Sequence, residues 1–123
     1  MFRSRSRWWT VLFVAVLLFA GIQIVPYGHG RTNPPVVMEP AWDDPATRPL
    51  ARQACFDCHS NETEWPLYSR VAPVSWLVRH DVEEGRAALN FSEWNRPQKE
   101  ADEASEKVRE GEMPLRIYRL MHG

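Results

Sequence analysis

The sequence predicts an all-α fold: one membrane-length helix, then a small helical domain. Three observations predict it. Residues 8–25 form an apolar run broken only by Thr10, Gly21 and Gln23. Val74, Leu77, Val78, Val82, Gly85, Ala88 and Leu89 fall on one face at helical spacing. Nothing elsewhere reads as alternating strands.

The amino terminus sets the topology. Eighteen residues at a rise of 1.5 Å each nearly cross a hydrocarbon core of about 30 Å. Arg3, Arg5 and Arg7 precede the run with no acid among them, so that end is expected in the cytoplasm. Trp8 and Trp9 at one edge and Tyr27 at the other suit the two interfaces. A cleaved signal peptide is the competing reading. The run is longer than a usual signal core, and no clear A-x-A-like site follows it. Residues 1–25 therefore read as a basic tail and uncleaved single-pass anchor in the cytoplasmic membrane. The partner there is the lipid bilayer, and the rest of the chain is expected to be periplasmic or otherwise extracytoplasmic.

Six of the ten prolines fall between positions 26 and 49. Proline lacks the donor that helices and sheets need, so 26–45 reads as a semi-rigid spacer. Residues 46–123 remain to fold, which is small for a self-sufficient core. A first helix is expected from Thr47, acting as cap, through Arg52. Residues 61–70 read as irregular around Pro66. A second helix covers about 73–89, with Pro73 in its first turn. A third covers about 97–110, with Ala101, Ala104, Ser105 and Val108 inward, Glu103 paired with Lys107, and Gly111 as C-cap. A terminal turn or helix covers 115–121.

Chemistry concentrates at Cys55-Phe56-Asp57-Cys58-His59, which holds the only two cysteines of the chain. A C-x-x-C-H run reads as a c-type haem attachment site. Two thiols three positions apart can each bind one vinyl group of the same porphyrin, and the adjacent imidazole is then available as proximal iron ligand. Three other readings compete. A thioredoxin-like pair wants a βαβ context, which is lacking. A zinc site wants further ligands at other spacings. A structural disulfide gives His59 no role. The expected cofactor is one covalent haem c per chain, with Cys55, Cys58 and His59 binding it. A large flat apolar group would also complete a small core, so the apo domain is expected to fold poorly.

The other axial position decides the chemistry. Candidates are His29, Met38, His80, Met113, Met121 and His122. Met113 follows a helix end, and Pro114 stiffens its loop; Met/His ligation raises the reduction potential. The alternative for Met113 is core packing. His80 sits far from the centre of the apolar face and reads as solvated, His122 is one residue from the end, and His29 and Met38 lie in the spacer. Trp65 and Tyr68 are expected beside the cofactor, as propionate hydrogen-bond donors or as rings that exclude water, with Arg70 as a charge partner; simple core filling is their alternative. Asp81 lies on the apolar face of the second helix and calls for a partner, Arg86 or a backbone cap.

Residues 26–123 carry 12 Lys and Arg against 16 Asp and Glu, a mildly acidic balance. That argues against a nucleic-acid-binding face and is compatible with a basic redox partner protein. The chain lacks a nucleophile–base pair, a Gly-rich phosphate loop and a carboxylate dyad, so no enzyme activity is expected.

From Cys55 to His122 the chain resembles the small bacterial haem-binding domain proteins, a cytochrome c-like group. The resemblance is carried by Cys55-Phe56-Asp57-Cys58-His59-Ser60-Asn61-Glu62-Thr63, Trp65-Pro66-Leu67-Tyr68-Ser69 and Val71-Ala72-Pro73-Val74-Ser75-Trp76-Leu77. Asp81-Val82-Glu83-Glu84-Gly85-Arg86, Leu89-Asn90-Phe91-Ser92-Glu93-Trp94 and Gly111-Glu112-Met113-Pro114 complete it, with Tyr118 and His122. It implies a cytochrome c-like haem domain, haem on Cys55 and Cys58, His59 as proximal ligand and Met113 as sixth ligand. The group's pattern runs past the His122 position into a further helix, which implies a more exposed haem where that helix is missing.

The leading expectation is a membrane-anchored monohaem c-type cytochrome that transfers single electrons to an unidentified redox partner. The alternative is a haem-based sensor of a diatomic gas, with an open or displaceable sixth site. A haem peroxidase is third, because it would need a distal His and only His80 is at hand.

Overall fold

A computed structural model describes residues 2–122. Its regular elements are all helices, and no strand occurs among the described residues. Helix α1 is Phe2–Ile22, α2 Thr47–Ala54, α3 Phe56–His59, α4 Val74–Ala88, α5 Ala104–Arg109 and α6 Arg116–His122. A 3-10 turn, Leu67–Arg70, precedes α4. The chain divides into two compact units: Met1–Arg31 with Pro66–His80, and Thr32–Trp65 with Asp81–Gly123.

In the first unit α1 provides one segment, Arg5–Ile22, long and apolar enough to cross a membrane. None of that segment is buried in the protein. Just past its end, Gln23 makes two complementary bonds to Ala72. Its Nε2 donates to the Ala72 carbonyl at 3.0 Å, and its Oε1 accepts from the Ala72 amide at 2.9 Å. The side-chain amide thus satisfies both backbone groups of a residue that is almost fully buried. Gly28, at φ +87°, lies against Ser75, where a Cβ would come within 3.0 Å of the Ser75 backbone. Arg79 donates to the Gly30 carbonyl, and Arg31 donates to the Ser69 carbonyl at 3.4 Å.

The second unit has an aromatic centre. Phe56 is buried and stacks on Phe91 at 5.6 Å between centroids; Trp42 lies 5.4 Å and Trp94 5.9 Å from Phe91. Val82 of α4 and Leu89, just past its end, are buried in the same unit. The proline-rich stretch expected as a spacer is laid along this unit from Thr32 onward. Val37 and Met38 donate to the Ser92 carbonyl at 2.8 and 3.0 Å, and Trp94 donates to the Met38 carbonyl at 2.8 Å. Met38 and Glu93 form an isolated parallel bridge.

Around this centre the buried residues are largely polar. Ser60, Asn61, Thr63, Asn90 and Ser92 are all enclosed. Each has partners, as buried polar groups require. Asn61 donates from its amide to Ser92 Oγ (2.9 Å) and from Nδ2 to the Pro35 carbonyl (3.1 Å), and accepts at Oδ1 from Asn90 Nδ2 (2.9 Å). Asn90 Oδ1 accepts from the Ser92 amide at 2.9 Å.

Three local expectations differ from the structure. The third helix begins at Ala104, not near Pro97. The Glu100 amide bonds the Ala88 carbonyl at the end of α4 (3.1 Å), and Gln98 bonds the Asn90 amide and the Glu93 and Arg96 carbonyls. These tertiary bonds hold 97–103 in turns. Val108, expected inward, is exposed. Thr47 does not cap α2; Ala46 holds that position, and Thr47 Oγ1 bonds Asp43 Oδ1 instead at 3.0 Å.

Other local expectations hold. Gly111 follows α5 at φ +78°. Its amide reaches the Val108 carbonyl (3.2 Å) and that of Glu112 reaches the Lys107 carbonyl (2.9 Å), the paired bonds of a Schellman stop. Lys107 Nζ lies 3.9 Å from Glu103.

Candidate functional site

The site is built on α3, a single turn whose second half is Cys58 and His59. Cys55 lies at the break between α2 and α3, and its carbonyl accepts from the amides of Cys58 (3.2 Å) and His59 (2.9 Å). That tight turn sets both cysteines and the histidine on one short stretch. Cys55 and Cys58 are free thiols and half-buried. Burial raises both thiol pKa values. Cys58 is pushed up to about 12, first by burial and then by the carboxylates of Asp81 and Asp57. Both thiols are therefore protonated at neutral pH.

His59 is oriented by α4. Its Nδ1 lies 2.8 Å from the Gly85 carbonyl and 3.0 Å from the Leu89 carbonyl. Two acceptors facing Nδ1 require the proton there, so in the neutral ring Nε2 carries the lone pair. This is the backbone carbonyl support that metal-bound histidines commonly have. The His59 carbonyl is held in turn by the Phe91 amide at 2.8 Å.

The close approach of α4 depends on Gly85. A Cβ there would fall 2.3 Å from the Cys58 carbonyl oxygen and 3.0 Å from Cys58 Cβ. The apolar-face pattern includes Gly85, but not the reason for its size. Arg86 then ties α4 to the chain beyond the motif. It donates to the Ser60 carbonyl (2.7 Å), Thr63 Oγ1 (3.0 Å), the Thr32 carbonyl (3.1 Å) and Asn33 Oδ1 (3.1 Å).

Asp57, inside the motif, is a hub that sequence reading missed. Its Oδ1 accepts from the Glu64 amide (2.9 Å), its carbonyl from Thr63 Oγ1 (2.7 Å), and its Oδ2 from Tyr118 of α6 (2.8 Å). His122 stacks on Tyr118 with centroids 3.9 Å apart. A carboxylate between two cysteines carries no periodic signal; only the fold reveals its partners.

The remaining predicted residues are placed as follows. Trp65 is half-buried; its Nε1 donates to Asn33 Oδ1 at 3.2 Å, and the Arg86 guanidinium lies 6.0 Å from its ring centroid. Tyr68 is half-buried on the 3-10 turn of the first unit. Met113 is half-buried in the loop after the Schellman stop, and its amide bonds the Lys107 carbonyl at 3.2 Å. His80 is exposed, as its place on α4 predicts. No group of three His, Cys, Asp or Glu side chains is gathered to hold a bare metal ion among the described residues.

A model of a haem-binding domain matches residues 17–123, most of the chain. The chain belongs to the haem-binding domain family. No curated protein and no solved structure matches it. The donor set fits the haem of this haem-binding domain. The thiols are unpaired and three positions apart, and the next residue offers an imidazole with Nδ1 occupied and Nε2 open to a metal. Cys55 and Cys58 would hold the ring edge and His59 the iron.

Proposed function

We propose that this haem-binding domain is the exported part of a membrane-anchored monohaem c-type cytochrome. The observation that carries the proposal is the His59 geometry directly after two free thiols. Cys55 and Cys58 would hold the haem as two thioethers, and Nε2 of His59 would be the proximal ligand. Bound haem supplies a one-electron couple; the chain binds it, orients it and limits its contact with water. Gly85 and Leu89 fix the imidazole plane through their carbonyls. Met113 would supply the second iron ligand in this reading, as Met/His ligation suits an electron carrier.

The apolar length of Arg5–Ile22 and the arginines at its amino end support an anchor with its basic end in the cytoplasm. The redox partner is a second protein, and no substrate chemistry is assigned to the chain.

The test is the full chain matured with c-type assembly machinery. Haem should remain on the chain after denaturation, and a potentiometric titration should give one reversible one-electron couple. Haem that separates from the denatured chain overturns covalent attachment. Absence of a reversible couple overturns electron transfer. Uptake of carbon monoxide by the reduced protein at neutral pH would move the function to gas sensing.

A further inference from the structure

The first unit has an unusual charge and apolar pattern. Among residues 23–31 and 66–80 there are three arginines, Arg31, Arg70 and Arg79, and no acid. All sixteen Asp and Glu of the chain lie in the other unit. Over the same stretch large apolar side chains face outward. Leu67 is 79 % exposed, Val71 45 %, Val74 41 % and Leu77 45 %. Val74 and Leu77 share one face of α4, three positions apart. Ile24, at 81 %, and Tyr27 are exposed on the segment that leaves α1.

These residues sit where a bilayer surface would be. Gln23 follows directly on the membrane-length helix, and its two bonds to Ala72 fix 66–80 at the helix exit. Gly28 against Ser75 and the Arg79 bond to the Gly30 carbonyl add two further fastenings. A segment so attached cannot move far from the plane in which the helix leaves the lipid.

We propose that Pro66–His80 is an interfacial membrane segment. Leu67, Val71, Val74 and Leu77 enter the headgroup–acyl boundary, and the arginines face anionic headgroups. Apolar contact and charge then act together, as in surface-bound amphipathic segments. The haem-binding domain is thereby held to the membrane at a second place besides its span. This rests on the reading of Arg5–Ile22 as a membrane span.

The test uses the full haem-loaded chain in vesicles of phosphatidylcholine and phosphatidylglycerol. The photocrosslinking amino acid p-benzoylphenylalanine is placed singly at Leu67, at Leu17 within the span, or at Leu50, an exposed leucine of the other unit. Lipid adducts are counted by mass spectrometry. The expected result is adducts at positions 17 and 67, with the yield at 67 many-fold above that at 50. Adducts at 17 with a yield at 67 no higher than at 50 overturn the interfacial segment and leave the span standing. No adducts at 17 overturn the span, and the proposal with it.

Discussion

Gly85 of α4 stands so close to Cys58 of α3 that a Cβ would lie 2.3 Å from the Cys58 carbonyl oxygen. The obstacle is backbone, which cannot rotate aside. Gly85→Ala must push the two helices apart and lengthen the His59 bonds to α4. Overpacking of this kind costs about 1–3 kcal/mol. The melting temperature should fall by ~4–8 °C per kcal/mol for a domain of this size. Calorimetry of the matured protein measures this, and an unchanged melting temperature would contradict the contact.

Asn61 bridges three parts of the second unit through Pro35, Asn90 and Ser92. Asn61→Ala keeps its backbone bond but leaves the buried Asn90 side-chain amide without its partner. Such an unsatisfied group costs about 1–3 kcal/mol. Urea unfolding should show a lower midpoint at unchanged slope, whereas exposed Leu50→Ala should leave the midpoint nearly unmoved.

Tyr118 fastens α6 to Asp57 at 2.8 Å. Tyr118→Phe removes only the hydroxyl. Amide hydrogen exchange in 116–122 should accelerate, because α6 has no fully buried residue to hold it otherwise. Protection in α4 should be unchanged; exchange equal to wild type in α6 would show that the bond contributes nothing.

Acid should weaken the second unit. The hydrogen bond from Arg48 holds Glu39 below its ordinary 4.5, and those from Arg96 and Asn61 do the same for Glu93. A depressed carboxylate contributes stability that is complete above the unfolded value and disappears as pH falls through the folded one. The urea midpoint should therefore hold between neutrality and about pH 5 and decline below 4.5. The double variant E39Q/E93Q should show a shallower acid decline; an equally steep one would assign it to other groups.

Much of this was legible in the sequence because it is local. The C-x-x-C-H run, the apolar stretch of α1, the face of α4 and the glycine stop after α5 each depend on neighbours within a few positions. What was not legible is long-range. The segment 97–103 has a helical composition, but the Glu100 amide is engaged by the Ala88 carbonyl. Gln23 looked like a polar interruption of an apolar run, although it matches the backbone of Ala72, 49 positions away. Asp57 and Asn61 gave no pattern because their partners are scattered along the chain.

The polar interior has a thermal consequence. Among the described residues, Phe56, Val82 and Leu89 are the buried apolar side chains of the second unit, against five buried polar ones. Apolar and polar surface change the heat capacity of unfolding with opposite signs. Polar burial therefore offsets part of the polypeptide's own contribution to that heat capacity. Its stability should vary gently with temperature, so cooling would loosen this unit less than it loosens an oily core of the same size.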